Sequence, residues 1–138
     1  MQNTQDLSET SKIPDTRHSK RVTLVQQLYA STYDPNQVDF SENTEIKREF
    51  DEILGNIGKI DEIIKKHASK YPLENVAKTD LSILRLAVYE LVFVKKEPPK
   101  VIINEAVELA KELGSDRSYA FVNGALGAIL SDQESNKI

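Results

Sequence analysis

The chain has 138 residues, 18 lysines and arginines against 22 aspartates and glutamates, and a formal net charge of −4. That length suits one hydrophobic core, and the acidic balance argues against a general nucleic-acid coat while leaving room for a local basic patch. The absence of cysteine excludes disulfides and thiolate metal sites. No apolar run approaches a membrane span, and MQNTQDLSETSKIPD lacks the apolar centre of a signal peptide, so the expected setting is the cytoplasm.

Residues 1–15 are polar and aperiodic, which predicts a disordered N-terminal tail. A helix is expected from Thr16 to Ser31, with Val22, Val25 and Tyr29 on one side and Leu24 and Leu28 adjoining. Asp34-Pro35-Asn36 is a turn signal that ends it, and the segment from Phe40 to Asn43 is a connector. From Thr44 one long helix carries Ile46, Phe50, Ile53, Leu54, Ile57, Ile60 and Ile64. Gly55 and Gly58 within it allow a kink, and the outer face sets Asp61 against Lys65 and Glu62 against Lys66 at i,i+4 spacing.

Pro72 closes that region, and Thr79 with Asp80 reads as an N-cap and first-turn acid. Leu81, Leu84, Val88 and Leu91 follow on one face. Pro98-Pro99 opens a helix with Ile103, Ala106, Ala110 and Leu113, and Gly114 is its expected left-handed stop. Ser115 is expected to cap a last helix through Tyr119, Val122, Leu126 and Ile129. Asn123-Gly124 is not a hairpin turn, because its flanks do not alternate. The fold read from these patterns is all-α, with one helical domain over residues 16–132 and a flexible end at 133–138.

The chemistry points away from an enzyme. There are two histidines and no metalloprotease, P-loop or dinucleotide pattern, so no cofactor or metal is expected. Arg17, His18, Lys20 and Arg21 form the one concentrated basic run, at the start of a helix where cations oppose the dipole. It is either a solvated face or a phosphate-binding patch. Phe121 falls about 100° from the stripe of Val122, Leu126 and Ile129, so it is either a core ring or a stacking platform. Asn123 and Gly124 interrupt the last helix at a cost of roughly 1 kcal/mol for the glycine, which implies close packing or a binding surface there.

LSILRLAVYEL (Leu81 to Leu91), KVIINEAVELAKELG (Lys100 to Gly114), FVNG (Phe121 to Gly124) and QQLY (Gln26 to Tyr29) occur in order, and through them the chain from Arg17 to Leu130 resembles the NusB family of bacterial transcription antitermination factors. The resemblance implies two packed three-helix bundles and a function without catalysis. It implies binding of boxA RNA jointly with a small-subunit ribosomal protein acting as NusE, within the RNA polymerase antitermination complex. It assigns RNA contact to the run of Arg17, His18, Lys20 and Arg21 and to Phe121, and contact with the ribosomal protein to Tyr29 and Asp80. The chain departs from the family pattern in having His18 and Ser19 within the basic run, Arg117 at a usually acidic position and Ala120 where a lysine is common. Arg117 then restores part of the charge missing from the first helix. The competing expectation is an interaction module that binds the ribosomal protein with little RNA affinity of its own.

Overall fold

Every segment with helical periodicity forms a helix. The computed structural model describes residues 16–34, 36, 38, 43–68, 72–136 and 138, and the expected N-terminal tail and Phe40 lie outside them. The helices are α1 (Thr16–Ser31), α2 (Thr44–Gly55), α3 (Ile57–Ala68), α4 (Lys78–Val88), α5 (Pro99–Leu113) and α6 (Ser118–Glu134). α4 runs on into a wider π turn over Tyr89–Val94, where the Lys95 amide donates to the Glu90 carbonyl five residues back at 2.8 Å. Lys95 then leaves the helix with a left-handed φ of 54°.

α4 is the centre of the molecule. Asp80 to Leu84 and Leu86 to Val88 are buried, so apolar surface is removed from water on nearly all its sides. α4, α5 and α6 touch one another as one three-helix bundle; α2 joins α1 to α3 on its other side, with α1 and α3 laid on α4 and α3 packed also along α6. Leu24, Leu28, Ile53, Ile60, Ile64, Ile83, Leu84, Leu109, Leu126 and Ile129 fill the shared core. Ser82, fully buried, donates to the Lys78 carbonyl at 2.7 Å and so leaves no orphan hydroxyl.

Several local expectations are corrected. The long helix from Thr44 is two helices, because Asn56 takes over the end of α2. Its amide donates to the Ile53 carbonyl (3.1 Å), its side chain donates to the Glu52 carbonyl (2.8 Å), and its own carbonyl accepts from Ile60 as α3 begins. Asp61 pairs not with Lys65 but with Arg85 on α4, in a two-pronged contact at 2.9 and 2.8 Å that a flexible lysine cannot match. α4 starts at Lys78 behind Ala77, so Thr79 lies inside the first turn and is not the cap.

Gly114 is extended (φ −99°, ψ −163°), not left-handed. Its requirement is space, since a Cβ would sit 2.6 Å from Ser118 Cβ and 2.8 Å from the Ala110 carbonyl oxygen. The expected Ser115 cap is reversed at the same place: Ser118 Oγ accepts from the Ser115 amide at 2.9 Å.

Gly114→Ala should therefore cost about 1–3 kcal/mol through overpacking of the α5–α6 corner. Gly124→Ala, where a Cβ would meet nothing within 4 Å, should gain up to about 1 kcal/mol from helix propensity. Urea unfolding of the two variants checks this, and equal effects would show that the corner is not tight.

Candidate nucleic-acid interface

The basic run at the start of α1 fans out by helical geometry. Arg17 and Arg21, four residues apart, share a face, with His18 about 100° round in one direction and Lys20 about 60° in the other. Each meets carboxylates. Arg21 is almost wholly buried, and its guanidinium grips Glu90 on the π turn at 2.9 and 2.8 Å. Its Nη2, already on Glu90, also lies 3.4 Å from Glu97, and its remaining nitrogen, Nη1, lies 3.6 Å from Glu105. Arg17 is largely exposed and also reaches Glu97, at 3.4 Å. Lys20 pairs with Glu49 (2.9 Å) and Glu45 (3.3 Å) on α2, which raises its pKa, the Glu49 hydrogen bond being the largest cause.

His18 sits between Glu105 and Glu112 on α5, each ring nitrogen 2.9 Å from a carboxylate. Carboxylates only accept, so both nitrogens must donate, and the ring that fits is the imidazolium. The hydrogen bond to Glu105 raises the His18 pKa most, burial opposes it, and Glu112 adds to the rise. Four basic side chains are thus answered by six glutamates. A cleft of about 520 Å³ opens beside them, lined by Arg17, Lys20, Arg48, Tyr89, Phe93 and Lys96 among others. Burial, reinforced by the hydrogen bond to Glu52, pushes the Tyr89 hydroxyl pKa up at its floor.

The remaining candidates divide between two places. Arg117 is exposed just before α6, and Phe121 is half-buried, packed against the core from the second turn. Tyr119, expected in the core, is 46% exposed, with Lys111 Nζ 5.6 Å above its ring. The buried stripe of α6 is phased by Ser118, which turns in toward Gly114, followed by Val122, Ala125, Leu126 and Ile129. Tyr119, one residue on, falls outside it. Ala120, Asn123, Gly124 and Gly127 make the exposed side of α6, so Gly124 is not there for packing within this chain.

At the far end of α1, Tyr29 meets Tyr33 edge-on, ring centres 5.5 Å apart, and Lys78 of α4 lies 5.5 Å from the Tyr33 ring centre. Both tyrosines are exposed. Asp80, in the first turn of α4, is buried, and its Oδ1 has no hydrogen-bond partner among the described residues. Among the described residues no cluster of histidine and carboxylate side chains could hold a metal.

The partners of the basic run are what sequence reasoning missed. One signal was available for His18: Glu105 and Glu112 are seven residues apart, two turns on one face of α5. Glu90 and Glu97 offered none, because their positions depend on the π turn.

The NusB family profile matches residues 11–131. The chain is 40% identical over 129 residues to the transcription antitermination protein NusB of Campylobacter concisus, covering 85% of this chain and 98% of that one. It is 37% identical to the protein of that description from Nitratiruptor sp., over 85% of this chain and 93% of the relative. Its structure is similar to that of T. maritima NusB, with a TM-score of 0.73 and 28% identity over 88% of this chain and 97% of the other.

Two outcomes test the carboxylate clamps. Arg21→Ala leaves the half-buried Glu90 without its counter-charge, so it should lose about 1–3 kcal/mol of stability in urea unfolding; a loss below about 1 kcal/mol would show the pair to be dispensable. For His18 the folded pKa is raised, so its stabilisation is complete below its usual 6.5 and is lost as pH rises through the folded value. The stability difference between the wild type and His18→Gln should therefore shrink as pH rises above 6.5. A difference that stays flat would mean the ring is neutral throughout.

Proposed function

The chain belongs to the NusB family of transcription antitermination proteins, and from that premise we propose that it binds boxA-type single-stranded RNA jointly with a small-subunit ribosomal protein in the NusE role. In this reading it acts in the cytoplasm as part of the RNA polymerase antitermination complex and promotes read-through, notably of ribosomal RNA operons. The family works by binding and not by catalysis. The observation that carries the proposal is the family match across residues 11–131.

The spacing along α1 supports joint binding. Arg17 and Tyr29 are twelve residues apart, about 18 Å along a straight helix, so RNA at one end and a protein at the other need not collide. Arg17, Lys20, Arg117 and Phe121 are the proposed RNA contacts, with His18 and Arg21 behind them. Tyr29 and Asp80 are the proposed partner contacts. Phosphates must displace glutamates from Arg17 and Lys20; the pair made by the exposed Arg17 is worth only about 0–1 kcal/mol, while Lys20, half-buried against Glu49, is held more firmly. With three or four phosphate contacts, log K should fall with log salt at a slope of roughly −2 to −3. A weak contact of this sort gains from a second protein on the same transcript, which raises the effective concentration of each.

A second reading has an observation of its own. Six glutamates around the basic run leave no cationic excess there, as an interaction module with little RNA affinity would require.

Fluorescence anisotropy on a boxA-type RNA, across a salt series with and without the ribosomal protein, separates the two. Joint binding predicts at least a roughly tenfold gain in apparent affinity when the partner is added. Tyr29→Ala should remove that gain and leave binding by the chain alone unchanged, and Phe121→Ala should weaken binding by about 1–3 kcal/mol. A partner complex indifferent to RNA would establish the interaction-module reading instead.

A further inference from the structure

Cations without carboxylate partners lie elsewhere than on α1. Lys95, Lys96 and Lys100 are exposed and have no ion pair among the described residues. The one acid within that stretch, Glu97, is turned toward Arg17 and Arg21 and does not neutralise them. Between and beside the lysines stand exposed apolar side chains: Phe93 at 36%, Val94 at 41% and Val101 at 40%. Phe93, Val94 and Lys96 also line the cleft that Arg17 and Lys20 share, so this strip and the start of α1 border one space.

The backbone explains why these groups face outward together. The π turn ends α4 at Val94, and Lys95 reverses the chain in the left-handed region. Pro98 then enters α5 in an extended conformation (ψ 142°), so the segment cannot fold back as helix. α5 has no acid in its first turn but does have Lys100 there. That cation opposes the positive end of the helix dipole, an arrangement that an anion would relieve.

We infer that Phe93, Lys95, Lys96 and Lys100 form a second contact for single-stranded RNA, with phosphates on the lysines and an unpaired base on the Phe93 ring. This rests on the RNA reading above and extends the bound strand from the start of α1 across the cleft to the start of α5. Lysines beside an exposed aromatic ring are the chemistry of an unpaired strand, because the ring stacks on any base and a duplex hides that face. Such contacts are indifferent to sequence. The strip sets affinity and strand direction, and base selection stays with the α6 side.

The test uses the full chain and a labelled single-stranded RNA of about a dozen nucleotides. Lys95→Gln with Lys96→Gln should reduce the salt slope by roughly 1.4, at about 0.7 for each phosphate that is no longer neutralised. The same pair should weaken binding about tenfold on boxA-type and unrelated sequences alike. Phe93→Ser should weaken it by a similar factor. Lys65→Gln with Lys66→Gln, exposed on α3, should change neither affinity nor slope, and circular dichroism confirms the fold of each variant. If the wild type binds while the strip variants bind equally well with an unchanged slope, the strip is wrong and the RNA reading stands. If the wild type binds no RNA even with the ribosomal protein, both fall.

Discussion

The bidentate grip of Arg21 on Glu90 is the contact on which the surface near α1 depends. It joins three elements: the first turns of α1, the π turn that ends α4, and, through Glu97 and Glu105, the entry and body of α5. A buried pair of this kind is a weak source of net stability, because taking both charges out of water costs nearly what their attraction returns. Its effect is geometric. Arg21 can satisfy its donors only if the π turn presents Glu90 at one angle, and that angle places Phe93 and Lys96 at the cleft that Arg17 enters.

The same arrangement explains how basic residues persist in the first two turns of α1 against the helix dipole. Each has at least one carboxylate partner from another element: the π turn and α5 for Arg21, the loop before α5 for Arg17, α5 for His18, and α2 for Lys20. An opposite charge within hydrogen-bonding distance outweighs a fraction of a helix-end charge farther off. Cations placed there do have a reason, as their cost implied. The reason found within the chain is structural, and the proposed RNA role would be added to it by exchange of partners at the exposed Arg17 and the half-buried Lys20.

How far the sequence could be read depended on whether a feature was local or required contact between distant segments. Helix positions followed from apolar period alone: α1 runs from Thr16 to Ser31 as read, and Ile46, Phe50, Ile53, Ile60 and Ile64 are buried as the spacing implied. The break at Asn56 was obscure because the apolar stripe continues in phase across it, and only the hydrogen bonds of Asn56 reveal two helices. Tyr119 was misplaced because its phase is set by Ser118 packing against Gly114, a contact between two segments that a helical wheel cannot represent. The carboxylate partners of the basic run were illegible for the same reason, coming from as many as 94 residues away. Family patterns in QQLY and FVNG pointed to Tyr29 and Phe121, but gave no sign that Arg21 would be buried.

A net acidic body bearing a few cations in acidic clamps is a poor general RNA binder, and this bears on specificity. Lysines unpaired among the described residues, such as Lys95, Lys96 and Lys100, attract any transcript with nearly equal strength, so they add affinity without discrimination. Where phosphate must first take Arg17 or Lys20 from a glutamate, each contact returns less, and nonspecific binding weakens along with specific binding. In the proposed reading, discrimination then depends on terms that do not cancel: an unpaired base against an aromatic ring, and a protein partner held at the far end of α1. The exposed Tyr29, with Tyr33 in the turn just past it, and the basic run lie at opposite ends of one helix anchored by Leu24, Val25 and Leu28. Were a strand and a protein bound at its two ends as proposed, they would be held at a fixed separation, so that each could favour the other without a change of shape in the scaffold.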